Sequence, residues 1–228
     1  MRRLVDSRWR ENLVMRGGIF AASAMALLLA GCGPKQLALP GDPIDRAATC
    51  AVVSAASARA DAPDVKGDLG FDAQTRILHY AMLAATADDH FSAKKASEVV
   101  GRMGEVEKAV TDGKWQALVT PCDQAYPEVR KTAGIELPKG KFDAELGCYS
   151  LGDFLVKTVS TSDPKAQEQL SGLTKMRREL DGTVGRQLKA RGASGYERTL
   201  ELKQAALGRM TKLGAPAETA RMCRSRFA

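Results

Sequence analysis

Histidine is nearly absent, with only His79 and His90 in 228 residues, and aromatic side chains make up 5% of the chain. These shortages exclude much catalytic chemistry. The histidines stand eleven residues apart, about 16 Å along a continuous helix, so they cannot share a metal there. A Ser-His-Asp triad lacks support, and no Gly-x-Ser-x-Gly elbow or phosphate-cradling glycine loop is present. Covalent haem would need Cys-x-x-Cys-His, and zinc sites favour close Cys-x-x-Cys pairs; the chain has neither. No cofactor or metal is therefore expected. Too few aromatics remain for a base-stacking surface, so nucleic acid is not an expected partner. The longest apolar run, Gly18 to Ala30, falls short of the about 20 residues that cross a bilayer.

What remains of candidate chemistry is sparse. Glu105 with Glu107, and Asp88 with Asp89, are neighbouring carboxylates of the type glycoside hydrolysis uses, but acidic neighbours are commonplace on helical surfaces. Asp88-Asp89-His90 reads as a solvated turn before a helix. His79, beside Arg76, reads as a boundary side chain on the polar edge of its helix, and Trp115, spaced with Leu118 and Val119, as a core residue.

The amino-terminal segment is more informative. Arg2, Arg3, Arg8, Arg10 and Arg16 precede the apolar run, which ends in Leu29-Ala30-Gly31-Cys32. This resembles the lipobox of bacterial lipoprotein signal peptides: a branched apolar residue, two small residues and the lipidated cysteine. The resemblance covers the leader alone. It implies removal of residues 1–31, a diacylglycerol on the Cys32 thiol and membrane lipid as a partner through that anchor. More than one acyl chain, at about 0.8 kcal/mol per buried methylene, makes such anchoring stable. Gly33 stands where an Asp would favour inner-membrane retention, so the expected location is the outer membrane, facing the periplasm. Met15-Arg16-Gly17-Gly18 would make an ordinary basic start, which marks Met15 as the expected initiator.

Cysteine usage agrees with an oxidising compartment. With Cys32 taken by lipid, Cys50, Cys122, Cys148 and Cys223 remain, an even number. Of the three connectivities, Cys50–Cys122 with Cys148–Cys223 is preferred, because it closes two similar loops and divides the chain into halves.

Along the mature chain the periodicity predicts an all-α body of about eight helices. Residues 32–42 form a flexible tether, 43–127 an N-terminal helical half, 128–141 a Pro- and Gly-containing linker, and 142–228 a C-terminal half. Expected helices start at Asp42-Pro43, Phe71, Ser92, Trp115, Phe142, Asp163-Pro164, Ser194 and Pro216, and the second is expected to run to Ala87. Its apolar residues surround much of its circumference, which points to a central position. Two echoes raise a diverged duplication: Cys122 and Tyr126 match Cys223 and Phe227, and Val100-Gly101-Arg102-Met103 matches Leu207-Gly208-Arg209-Met210. A shared tripeptide also arises by chance, and the helix lengths differ, so the echoes alone do not decide the matter.

Charge is uneven between the halves. Residues 32–137 hold 12 basic and 15 acidic side chains, whereas residues 138–228 hold 17 and 10. Lys175, Arg178, Arg186 and Lys189 lie opposite the apolar stripe of the sixth helix, and Arg221, Arg224 and Arg226 make the C-terminus basic. Together they form a candidate surface for an acidic envelope partner or anionic lipid, set against the plainer reading of a solvated face. The functional expectation is a non-catalytic binding or structural module held at the envelope. The alternatives are a cell-wall hydrolase using surface carboxylates such as Asp88 and Glu105, and a ligand carrier with a pocket between helices.

Overall fold

The computed structural model describes residues 38–228; the leader, the lipobox and Cys32 lie outside the described residues. The helices begin where local chemistry dictates. At the start of α1 (Pro43–Ala60), Asp42 Oδ1 accepts from the N–H groups of Ile44 and Asp45 at 2.9 and 3.0 Å, with proline in the first turn. Helix α2 (Phe71–Ala84) follows the loop 61–70, and α3 (Ala93–Thr111) is capped by Ser92 Oγ, which accepts from the Lys95 N–H. A 3-10 turn at Trp115–Leu118 leads into α4 (Val119–Ala125), and a second follows at Pro127–Arg130. The second half comprises α5 (Lys141–Thr158), α6 (Pro164–Ala190), α7 (Tyr196–Thr211) and α8 (Pro216–Phe227). Asp163 caps α6 through the Ala166 N–H. The all-α class and eight α-helices are thus as expected among the described residues.

One boundary differs. Helix α2 stops at Ala84, and the chain turns into a short hairpin, β1 (Thr86–Ala87) against β2 (His90–Phe91). Asp88 and Asp89 both take left-handed backbone conformations, with φ of 46° and 61°. Two such residues form the tight hairpin turn whose twist suits antiparallel strands, and Asp tolerates that conformation better than most residues. The Thr86 hydroxyl donates to the Met82 carbonyl at 2.8 Å, closing off the helix end.

Two hydrophobic cores organise the packing. The first joins α1, α3 and α4 around Ala48, Val52, Val99 and Leu118, with Trp115 partly buried against it. The second joins α5 to α8 around Leu151, Leu155, Leu173, Met176 and Met210. Helix α2 belongs to both, since Tyr80 and Ala81 enter the first core whereas Phe71 and Met82 enter the second, where they are joined by Phe91 of the hairpin. Residues 38–228 accordingly form one unit. The connector is packed as well: Ile135 is buried, and the Ala215 N–H donates to the Lys131 carbonyl at 2.8 Å. Gly214 sits there at φ 154°, where an added side chain would meet Lys131 and Ile135.

Both expected disulfides are present, Cys50–Cys122 and Cys148–Cys223, with Cα separations of 5.4 and 5.5 Å. Each ties the first helix of a half to its last. In each half the first helix also packs against the second and third. An ion pair repeats the pattern: Asp45 on α1 meets Arg102 on α3 at 2.6 Å, and Asp143 on α5 meets Arg209 on α7 at 3.5 Å. Both aspartates precede their helix cysteine by five residues, and both arginines belong to the echoed Gly-Arg-Met segment. The likeness of the two halves therefore extends from short sequence matches to equivalent cross-helix contacts.

The expected boundary position of His79 is corrected by this packing. His79 is fully buried, because α2 is covered by α1 and α3 on one side and by α6, α7 and α8 on another, leaving no polar edge at that position.

Candidate functional site: a groove between the halves

A groove of about 540 Å³ opens where α2, β2, α3, α5 and α7 meet. It exists because small residues occupy positions where larger ones would close the space: Ala81 on α2, with Ala93, Ala96 and Ser97 on α3. Leu78, Phe91, Phe154 and Leu207 supply its apolar lining. The hairpin turn places Phe91, which packs edge to face on Phe154 with ring centroids 5.3 Å apart. Gly208 lets α7 approach this hairpin, since a side chain there would overlap the Asp89 carbonyl, and Lys212 pairs with the Asp89 carboxylate at 2.7 Å. At the mouth, Val100 and Leu200 remain 49% and 38% exposed, so apolar surface continues outward from the groove.

A few polar groups interrupt this lining. Tyr149 donates its hydroxyl to Asp181 at 3.0 Å; burial, reinforced by that carboxylate, raises its pKa above the usual tyrosine value. The Lys203 ammonium lies 4.6 Å from the Tyr149 ring centroid, in cation–π range, and has no carboxylate partner among the described residues. The neighbouring Ser150 is buried, and its Oγ has no hydrogen-bond partner among the described residues. Asp153 is shared by Lys157 at 2.8 Å and Arg177 at 2.6 Å. Around the groove, one carboxylate thus balances two cations while Lys203 remains unbalanced. A concave, largely apolar site with few fixed polar groups is the usual form of a small-molecule site, and its volume lies within the about 300–1,000 Å³ of that class.

The other candidate residues lie elsewhere. Glu105 is exposed and paired with Arg102, and Asp88 forms the hairpin turn; neither lines the groove. His79 Nε2 donates to the Thr211 carbonyl at 2.8 Å, while Nδ1 has no partner among the described residues. Burial holds its pKa down to about 4, only partly opposed by that hydrogen bond. The ring is a neutral strut between α2 and the end of α7. Among the described residues, no group of three or more His, Cys, Asp or Glu side chains is arranged to hold a metal.

The seven cations of the proposed basic surface fall into two sets. Lys175, Arg178, Arg186 and Lys189 are exposed on α6, with Lys175 3.9 Å from Glu179. By contrast, Arg221 is held between Asp72 at 2.5 Å and Glu218 at 2.6 Å, joining α8 to α2. Arg224 donates to Gln169 at 2.5 Å and lies against Gly172, joining α8 to α6. Arg226 stacks over the neighbouring Phe227 ring at 5.3 Å.

Sequence reasoning did not single out Tyr149, Ser150, Phe154 or Lys203. Spacing on α7 carried a partial signal, since Leu200, Lys203 and Leu207 share one helical face. Their convergence with α2 and the hairpin required the three-dimensional fold. Comparison of the chain with protein-family models, curated proteins and solved structures finds no match in any of the three.

Proposed function

We propose that this protein is a lipid-anchored component of the bacterial cell envelope, held on the outer membrane through Cys32, and that its helical body is a non-catalytic binding module. Its ligand is a small, largely apolar molecule received in the groove between the halves. The observation that carries the binding reading is the groove itself: about 540 Å³, bordered by five elements, with exposed Val100 and Leu200 at its mouth. A concave apolar surface of this kind offers contacts that close packing within the chain does not use, and a ligand seated in it makes them. The envelope reading rests on the lipobox-like Leu29-Ala30-Gly31-Cys32 and agrees with two disulfides in the body.

Native mass spectrometry of protein purified from its own envelope tests both parts. The expected result is a chain beginning at Cys32 and carrying acyl groups, together with a noncovalent small-molecule adduct lost on activation. An unacylated mature chain would remove the anchor. Absence of an adduct in the wild type, with no uptake of apolar probes, would remove the binding module.

A further inference from the structure

The groove's polar groups narrow the class of ligand, an inference that rests on the binding reading above. Its lining is apolar through Leu78, Phe91, Phe154 and Leu207, which suits a hydrocarbon chain. Two features suit an anionic head. Lys203 reaches the groove wall with, among the described residues, only the face of Tyr149 as a partner, at 4.6 Å. Beside Tyr149, the buried Ser150 hydroxyl lacks a hydrogen-bond partner among the described residues, an unusual state for a buried polar group. Among the described residues the single lining carboxylate, Asp153, is already engaged by Lys157 and Arg177 and leaves that local cluster positive. A cationic head would meet this excess positive charge, and a neutral head would leave Lys203 without a counter-charge.

The geometry points to a long-chain fatty carboxylate as the groove's occupant, its chain laid along Phe91, Phe154 and Leu207 and its carboxylate accepting from Lys203 Nζ and, once the Ser150 side chain turns towards the groove that this residue lines, from Ser150 Oγ. The exposed Val100 and Leu200 then border the path by which the chain enters.

Photocrosslinking on envelope membranes containing the full-length protein tests this assignment. The probes are one long-chain fatty acid with a mid-chain diazirine, its methyl ester and the amine of equal length, and crosslinked peptides are located by mass spectrometry. The acid is expected to label groove peptides from α2, the hairpin and α7 about tenfold more strongly than the amine, the scale of one charge-assisted contact. Lys203→Gln should reduce acid labelling to the level of the ester while leaving ester labelling unchanged, and Lys203→Arg should restore it. Ser150→Ala should weaken acid labelling several-fold without loss of helicity by circular dichroism. Equal labelling by all three probes would overturn the carboxylate assignment while leaving the apolar site intact. No groove labelling by any probe would overturn both.

Discussion

Protonating His79 would place a cation among apolar side chains, with one ring nitrogen committed to the Thr211 carbonyl and the other facing no acceptor. The folded group titrates near 4 against an ordinary 6.5, so folding requires the neutral ring. The stabilisation is complete above pH 6.5 and is lost as pH falls from 6.5 towards 4. The slope approaches about 1.4 kcal/mol per pH unit, and the total is about 3 kcal/mol. Urea midpoints measured from pH 7.5 to 4 should show this decline in the wild type and a flatter profile in His79→Gln, which keeps a donor for Thr211. Parallel profiles would show that His79 is not the source. The sequence could not reveal this role, because Arg76 and the local helical pattern suggested a solvent edge; three of the covering helices, α6, α7 and α8, come from more than eighty residues away.

Glycines at echoed positions make a second residue-scale contrast. A methyl group at Gly208 would overlap the Asp89 backbone, whereas nothing lies within 4 Å of one at Gly101. Gly208→Ala should cost about 1–3 kcal/mol by forcing α7 off the hairpin. Gly101→Ala should be neutral or stabilising by up to about 1 kcal/mol, from helix propensity. Denaturant unfolding of the two variants side by side measures both, and a destabilised Gly101→Ala with an unaffected Gly208→Ala would contradict the packing described.

At the scale of elements, legibility followed the range of the interactions. Starts set by Asp42, Ser92 and Asp163 could be read directly, because a cap needs only the next three residues. The end of α2 could not, since the turn that stops it uses Asp88 and Asp89 in place of the usual glycine. The groove was hidden for a similar reason: Ala93 and Ala96 read as good helix formers, and only the assembled neighbours reveal them as vacated volume. The disulfides also belong to this scale. Each closes a loop of 72 or 75 residues, which the chain-entropy account values at roughly 4 kcal/mol. Replacing Cys50 and Cys122 together by alanine should lower stability by several kcal/mol in urea, and an unchanged midpoint would show that the unfolded chain gains little freedom from losing the bridge.

Across the whole molecule, the sharing of α2 by both cores predicts a single cooperative transition despite the two covalently closed halves. Trp115 reports on the first half, whereas far-ultraviolet dichroism weighs helices from both. With the disulfides intact, urea curves from the two signals should coincide. A fluorescence transition well separated from the loss of helicity would mean that the halves melt independently and that α2 does not couple them. The sequence marks 128–141 by a change in composition but does not show it as a packed connector; the contact between Lys131 and Ala215 joins positions 84 residues apart.

The placement of the disulfides also decides what a protease can remove. Lys66 lies in an exposed loop between Cys50 and Cys122, and Arg191 lies in another between Cys148 and Cys223. Tryptic scission after either residue leaves all fragments covalently joined, and the cut becomes visible only on a reducing gel. Lys131 is outside both loops, so scission there leaves no covalent link between the halves, which then remain together solely through the shared cores.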